Sequence, residues 1–229
     1  MPRKPVPVPP APRRHPAARP LVIGAAVVVA LLVALLVWSP WSDDSSSSST
    51  PVSSQEAVGE APLLLGPEGT SEATFVEFLD FQCPACASVK PAIDEARAEF
   101  EGEVTFVVRM FPLDVHPNAV PAARAAVAAE AQGEFEGMYD LLFAGQAEWS
   151  SLPDPEPTFR GYADTLGLDL DRYDEDYAAE STTDRIEADR QAAEDLGLTS
   201  TPSFVLDGEV LELGSYEDLT EALRTAAAS

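Results

Sequence analysis

The sequence predicts an α/β domain carrying a block of inserted helices, preceded by one N-terminal membrane-spanning helix. Three observations lead there. Strand-like and helix-like segments alternate through residues 60–229. One uncharged apolar run of 18 residues, LVIGAAVVVALLVALLVW, covers residues 21–38. The chain has two cysteines, Cys83 and Cys86, placed where a strand gives way to a helix.

The apolar run comes first. At ~1.5 Å per residue, a helix of that length spans roughly 27 Å, close to the hydrocarbon core of a bilayer. Arg3, Lys4, Arg13, Arg14 and Arg19 precede it, and Asp43 and Asp44 follow it. The positive-inside bias then puts residues 1–20, a basic Pro-rich tail, in the cytoplasm and the rest of the chain outside. A cleaved signal peptide would have a shorter apolar region ending in small residues, whereas this run ends in Trp38-Ser39-Pro40-Trp41. The expected location is therefore the cytoplasmic membrane, as a single-pass anchor. Residues 39–59, Ser-rich and acidic, read as a flexible linker.

The folded domain is expected over 60–229, long enough for one core. Thr74–Phe81 (TFVEFLDF) and Val104–Met110 read as buried strands, being rich in aromatic and β-branched residues. Between them, Pro84–Glu101 reads as a helix with Val89, Ile93, Ala96 and Phe100 on one face, stopped by Gly102. An Ala-rich helical block comes next, comprising Val120–Gln132, Glu134–Phe143, Phe159–Thr165 and Thr183–Leu196. The acidic run Asp169–Asp176 reads as a solvated face. Asp207-Gly208 between Ser203–Leu206 and Val210–Leu213 is a hairpin signal. Ser215 with Asp218 is a capping box opening a last helix that ends near Ala227.

Composition narrows the function. The chain carries 39 acidic against 14 basic residues, a net charge of −25. Such a surface repels phosphate backbones, so nucleic-acid binding is not expected. Two cysteines are too few for a multi-disulfide scaffold or an all-cysteine zinc site.

Cys83-Pro84-Ala85-Cys86 opens a helix directly after a strand. The helix N-terminus favours the thiolate of the first cysteine, and a spacing of three brings the second sulfur within reach of it. The pair can cycle between dithiol and disulfide. A zinc knuckle, a structural disulfide and two inert buried cysteines compete with this reading. Each is the weaker fit, because no second cysteine pair exists, so short a loop is a poor staple, and the compartment is oxidising. Thr201-Pro202 before the hairpin is either strand-entry punctuation or a cis proline that frees backbone for an extended substrate. Glu77 is either on a solvated strand face or a buried proton acceptor beneath Cys86. Asp80 points to the opposite face of the strand, and His116 reads as a loop residue.

The segment Phe75-Val-Glu-Phe-Leu-Asp-Phe-Gln-Cys-Pro-Ala-Cys86 resembles the active-site segment of the thioredoxin superfamily, specifically its DsbA-like branch. Phe111-Pro-Leu, the Ala-rich block, Gly167-Leu-Asp169 and Leu196-Gly-Leu-Thr-Ser-Thr-Pro-Ser-Phe204 extend the likeness over residues 60–227. The resemblance implies a thioredoxin fold with a helical insertion over about 112–196. It implies that Cys83 is the exposed attacking cysteine and Cys86 the buried resolving one, with Pro84 and Ala85 as spacers. Pro202 would be the cis proline, Thr201 the residue whose backbone meets substrate, and Glu77 the buried acid. Ala85 departs from the His that many oxidising members carry.

These residues together imply an extracytoplasmic thiol–disulfide oxidoreductase acting on exported cysteine-containing proteins. It needs no cofactor beyond the Cys83–Cys86 disulfide and is expected as a monomer. With no further cysteine, it requires a separate re-oxidising partner, which the resemblance suggests is DsbB-like or similar to vitamin K epoxide reductase. The rivals are a reductase or isomerase of the same fold and a non-enzymatic holdase.

Overall fold

The computed structural model describes residues 53–229. The basic tail, the expected span over 21–38 and most of the linker lie outside the described residues. Among the described residues, no helix is long and apolar enough to cross a membrane.

The sheet is organised by β2 (Thr74–Leu79), all but its first residue buried. Alternation puts Phe75, Glu77 and Leu79 on one face and Val76 and Phe78 on the other. β2 pairs in parallel with β3 (Thr105–Met110), from Thr74↔Thr105 to Leu79↔Met110. On its other side it pairs antiparallel with β4 (Ser203–Leu206). β1 (Leu63–Leu64) and β5 (Glu209–Leu211) complete the order β1-β3-β2-β4-β5. The β4–β5 turn has positive φ at Asp207 (52°) and Gly208 (87°), the backbone a tight mirror-image turn demands. The Asp207 carboxylate then accepts the Thr74 N–H at 2.8 Å, tying the hairpin to the start of β2.

Parallel β2 and β3 need a crossover, supplied by α2 (Pro84–Glu99). Its buried residues, Cys86, Ile93 and Ala96, join Phe75, Leu79, Val108 and Met110 in the main core. The helix stops at the Phe100 cap, and Gly102 (φ 73°) makes the turn beyond it, rather than the helix running to Glu101. The last helix, α9 (Tyr216–Ala227), adds Leu219 and Leu223 to the same core. Only one arm of its expected capping box forms. The Ser215 hydroxyl accepts the Asp218 N–H, but the Asp218 carboxylate turns to the Gly214 N–H instead.

Six helices lie between β3 and β4: α3 (Ala119–Glu130), α4 (Phe135–Ala144), α5 (Gln146–Trp149), α6 (Glu156–Thr165), α7 (Leu170–Ala178) and α8 (Glu180–Asp195). The alanines of α3 are buried on several sides, because α4, α6, α7 and α8 all pack against it. Small side chains let the helices approach closely. Trp149 of α5 is fully buried, edge-on to Phe159 at 5.1 Å, with its indole N–H donated to the Leu142 carbonyl.

The acidic run Asp169–Asp176 is solvated, as expected, and lies on a helix, α7, that the sequence reading did not place. Asp169 caps it by accepting the N–H groups of Asp171 and Arg172, and Tyr173 is its buried residue. The linker does not run to residue 59, because Ser54–Val58 form a helix, α1, closed by a Ser53–Glu56 capping box. The physical reason lies in β3. Arg109, 4% exposed, donates to the carbonyls of Glu56 and Ala57 at the C-terminal end of α1, both at 3.0 Å. A guanidinium there complements the helix dipole. Its Nε lies 2.5 Å from Asp189 of α8, whose other oxygen accepts the Met110 N–H. Gly59 (φ 82°) follows α1, and a Cβ there would stand 3.1 Å from the guanidinium carbon. Ala57 thereby joins Val76, Phe78, Val107, Ala193, Leu198 and Val205 in a second core on the other face of the sheet.

Removing one partner of a buried ion pair strands the other charge. Asp189→Ala is therefore expected to cost about 3–5 kcal/mol in urea unfolding, and Arg109→Met with Asp189→Leu to recover only part of it, because the Glu56 and Ala57 carbonyls and the Met110 N–H are left without partners.

Candidate active site

After Leu79 the chain turns, with the Cys83 N–H donated to the Asp80 carbonyl at 3.0 Å. Cys83 is the N-cap of α2, and Pro84, which has no N–H to offer, occupies the first helical position. The next amides, Ala85 and Cys86, are free to point at the Cys83 sulfur. Pro84 and Ala85 are exposed, and Cys86 lies one turn along, fully buried. Both cysteines are free thiols.

The two sulfurs stand in opposite electrostatic environments. The Cys83 thiol is lowered from 9.0 to about 5. The largest cause is the hydrogen bond from the Cys86 thiol; the Thr201 side chain and the amides of Cys86 and Ala85 add to it, while burial opposes. Cys86 is pushed far up, by burial first, then by its bond to Cys83 and the nearby Glu77 carboxylate. One sulfur is built to hold charge and the other to hold a proton.

The Thr201–Pro202 peptide bond is cis. It brings the Thr201 carbonyl over the reactive sulfur, where the protonated Cys83 donates to it at 3.4 Å. The Thr201 hydroxyl is buried without a hydrogen-bond partner in that arrangement. It is thus free to turn towards the sulfur once Cys83 ionises. This lid corrects one expectation: Cys83 is only 6% exposed, not an open thiol. Core packing on one side and the Thr201 carbonyl on the other leave only an edge in solvent.

Glu77 sits mid-strand between Val108 of β3 and Phe204 of β4, 1% exposed, so it is not on a solvated face. Its Oε2 has no hydrogen-bond partner. Burial raises its pKa to about 8, with the negative charge of Asp94 adding and Lys90 opposing.

Asp80 is also buried, on the other side of the strand. Its Oδ1 accepts the Gln82 N–H; its Oδ2 accepts the Leu113 N–H and lies 2.6 Å from His116 Nδ1. Burial pushes this carboxyl up, and the bonds from Leu113, His116 and Gln82 counter it. His116 is thus a loop residue locked onto the reactive turn. Among the described residues no group of three or more His, Cys, Asp or Glu side chains could hold a metal ion.

Three residues of the site escaped the sequence reading. Gln82 donates to the Ser150 carbonyl and accepts the Asn118 N–H. The Asn118 side chain gathers the carbonyls of Trp149, Ser150 and Leu152. Gln146 donates to the carbonyls of Phe81 and Cys83. Position beside Cys83 could have flagged Gln82. Asn118 and Gln146 carry no local signal, since their partners are set by tertiary packing.

A thioredoxin family model matches residues 61–225. The chain belongs to the thioredoxin family. Curated relatives include a Na(+)/H(+) antiporter NhaA 1 of Mycobacterium sp. (strain KMS), 39% identical over 155 residues, covering 66% of this chain and 22% of the relative. An NhaA 3 of Salinispora tropica is 42% identical over 159 residues, covering 68% and 23%. The chain thus spans about a fifth of the length of these relatives. Among solved structures, a thioredoxin-like oxidoreductase from Silicibacter pomeroyi DSS-3 is 27% identical, with a TM-score of 0.62, covering 76% of this chain and 97% of that one. The thiol-disulfide exchange protein α-DsbA2 from Wolbachia pipientis has a TM-score of 0.63 at 20% identity, covering 74% and 89%. BdbD from Bacillus subtilis has 0.62 at 19%, covering 76% and 100%. The latter two share the fold.

Two measurements check the electrostatics. Alkylation of the reduced protein by iodoacetamide is expected at Cys83 alone, rising through a single ionisation near pH 5. Glu77→Gln is expected to raise stability by about 3 kcal/mol at pH 7 and to leave it unchanged near pH 4. The sign comes from a raised folded pKa. Between 4.5 and about 8 the unfolded chain ionises Glu77 while the fold keeps it protonated. The wild type therefore loses stability across that window, and glutamine does not.

Proposed function

We propose that this protein is an extracytoplasmic thiol–disulfide oxidoreductase of DsbA type, which oxidises the cysteines of exported proteins while held at the membrane by residues 21–38. The observation that carries the reading is the placement of Cys83 at the cap of α2, one turn from the fully buried Cys86 and against Thr201 of the cis Thr201–Pro202 bond, an arrangement that brings the Cys83 pKa down to about 5. A stabilised thiolate favours the dithiol state of the enzyme, so its disulfide is a strong oxidant. This weighs against the reductase alternative, which calls for a Cys83 with ordinary acidity.

The reaction starts from the Cys83–Cys86 disulfide. A client thiolate attacks the Cys83 sulfur; the client–Cys83 bond forms, and the Cys86 bond breaks with the electron pair on Cys86. Cys86 is strongly basic and takes a proton, which Glu77 supplies from its protonated carboxyl. A second client thiolate attacks the client sulfur of the mixed disulfide and releases Cys83 as a stable thiolate. The client has lost two electrons and the enzyme has gained them. Thr201, beside the cis proline, offers backbone to an extended client segment. Val115 and Leu152, exposed on loops tied to Asp80 and Asn118, supply an apolar rim for an unfolded one. A separate re-oxidising partner, DsbB-like or vitamin K epoxide reductase-like, then accepts the electrons from the Cys83 thiolate. Glu77 takes the Cys86 proton as that sulfur closes the ring.

The test is refolding of reduced, denatured ribonuclease by the oxidised full chain. Recovery of activity is expected with the wild type and none above background with Cys83→Ser. When the reduced Cys86→Ala variant is mixed instead with a disulfide-bonded client, the Cys83 thiolate is expected to displace one client sulfur as a thiolate and to accumulate as a client–Cys83 mixed disulfide that no Cys86 resolves. Equal rescue by Cys83→Ser would mean a holdase. A Cys83–Cys86 potential below roughly −250 mV, rather than nearer −120 mV, would mean a reductase.

A further inference from the structure

The inserted helices do more than cover the sheet. Half-buried Gln146 stands at the first position of α5, directly after Gly145. Its side-chain amide donates to the Phe81 carbonyl at 2.7 Å and the Cys83 carbonyl at 3.0 Å. Those two carbonyls bracket the turn that delivers the reactive sulfur. The Cys83 carbonyl also accepts the first helical bond of α2, from the Ala87 N–H at 3.2 Å. The same amide group therefore grips the turn and the start of the helix together. It enters from an element more than sixty residues away in sequence.

We propose that Gln146 is a positioning residue through which the helical insertion fixes the aim of the Cys83 sulfur at the N-terminus of α2. Sulfur-to-amide bonds are directional, and they weaken steeply as the angle opens. With Gln146 in place, the Cys83 backbone is pinned from its carbonyl side, so the Ala85 and Cys86 amides and the Cys86 thiol converge on the sulfur. Without it, the Phe81–Cys83 turn is free to rock. Each of those bonds then lengthens or bends, and the thiolate loses stabilisation. The titrating groups around the sulfur remain Cys86 and, near Cys86, Glu77, while Asp80 with His116 holds the same turn through other bonds. Gln146 carries no charge and acts only through geometry.

The inference deepens the dithiol chemistry proposed above but can be tested without a client. In the full reduced chain, the Cys83 thiolate is monitored by its absorbance at about 240 nm against pH, alongside Tm. Gln146→Ala is expected to raise the Cys83 midpoint by about one unit, roughly a tenfold loss of thiolate at a pH well below the midpoint. Gln146→Glu keeps the length of the side chain but presents an acceptor to two carbonyls, and is expected to move the midpoint at least as far. It serves as the test should Gln146→Ala not fold. Asp169→Ala removes the α7 cap elsewhere in the insertion, away from the turn; it is expected to lower Tm and leave the midpoint in place. An unmoved midpoint in the Gln146 variants, or an equal shift in Asp169→Ala, would overturn the proposal. Failure of ribonuclease oxidation with the midpoint shift intact would instead sink the function and leave the positioning role standing.

Discussion

The electrostatic coupling between a buried Cys86 thiol and the Cys83 sulfur at the cap of α2 is the interaction on which the rest of the site depends. It requires the two sulfurs to differ. One must be buried so deeply that it keeps its proton, and the other must reach just far enough out to lose it. The fold meets both demands with a single helix. Its cap is the first cysteine, at the end of a buried strand, and its third position faces the core. Burial raises one thiol, and the proton it keeps becomes the donor that lowers the other. Glu77 extends the arrangement inwards, as a carboxyl kept neutral by the same apolar surroundings.

A reactive pair at a helix tip is only as well defined as the turn that precedes it. Here that turn is held from two directions. Asp80 gathers the Gln82 and Leu113 amides and His116, binding the turn to the loop after β3. Gln82, Asn118 and Gln146 bind it to the loop and short helix around Trp149. The buried Trp149 keeps that short helix in place, so aromatic packing in the insertion supports polar geometry at the cysteines. A network of this kind works only when its members are satisfied, because low dielectric penalises any group left unpaired.

Much of this is legible in the sequence because it rests on local pattern. Strand periodicity locates β2 and β3; apolar spacing locates α2; Asp207-Gly208 locates the hairpin. The strand–Cys-x-x-Cys–helix order places the thiols, and the same order supports the resemblance to a family that the comparisons then give. What escapes has a common cause. The docking of α1 depends on Arg109, buried in a strand where a lone cation gives no hint of the carbonyls it serves. The burial of α7 rests chiefly on Tyr173, one apolar residue in an acidic run. The lid over Cys83 comes from Thr201, 118 positions away. Gln146 looks like any surface glutamine until the insertion folds back. Long-range polar bonds leave no periodicity behind.

The grip of Arg109 on α1 has a mechanical side. Any tension carried along the chain from before Ser53 reaches α1 first, and there it meets two backbone carbonyls held by a buried cation. A pull along that direction would act on a helix of five residues and on Ala57 before it acted on the strands or the cysteines. The grip thus makes α1 the first joint of the domain, seated on the sheet by backbone carbonyls rather than by length.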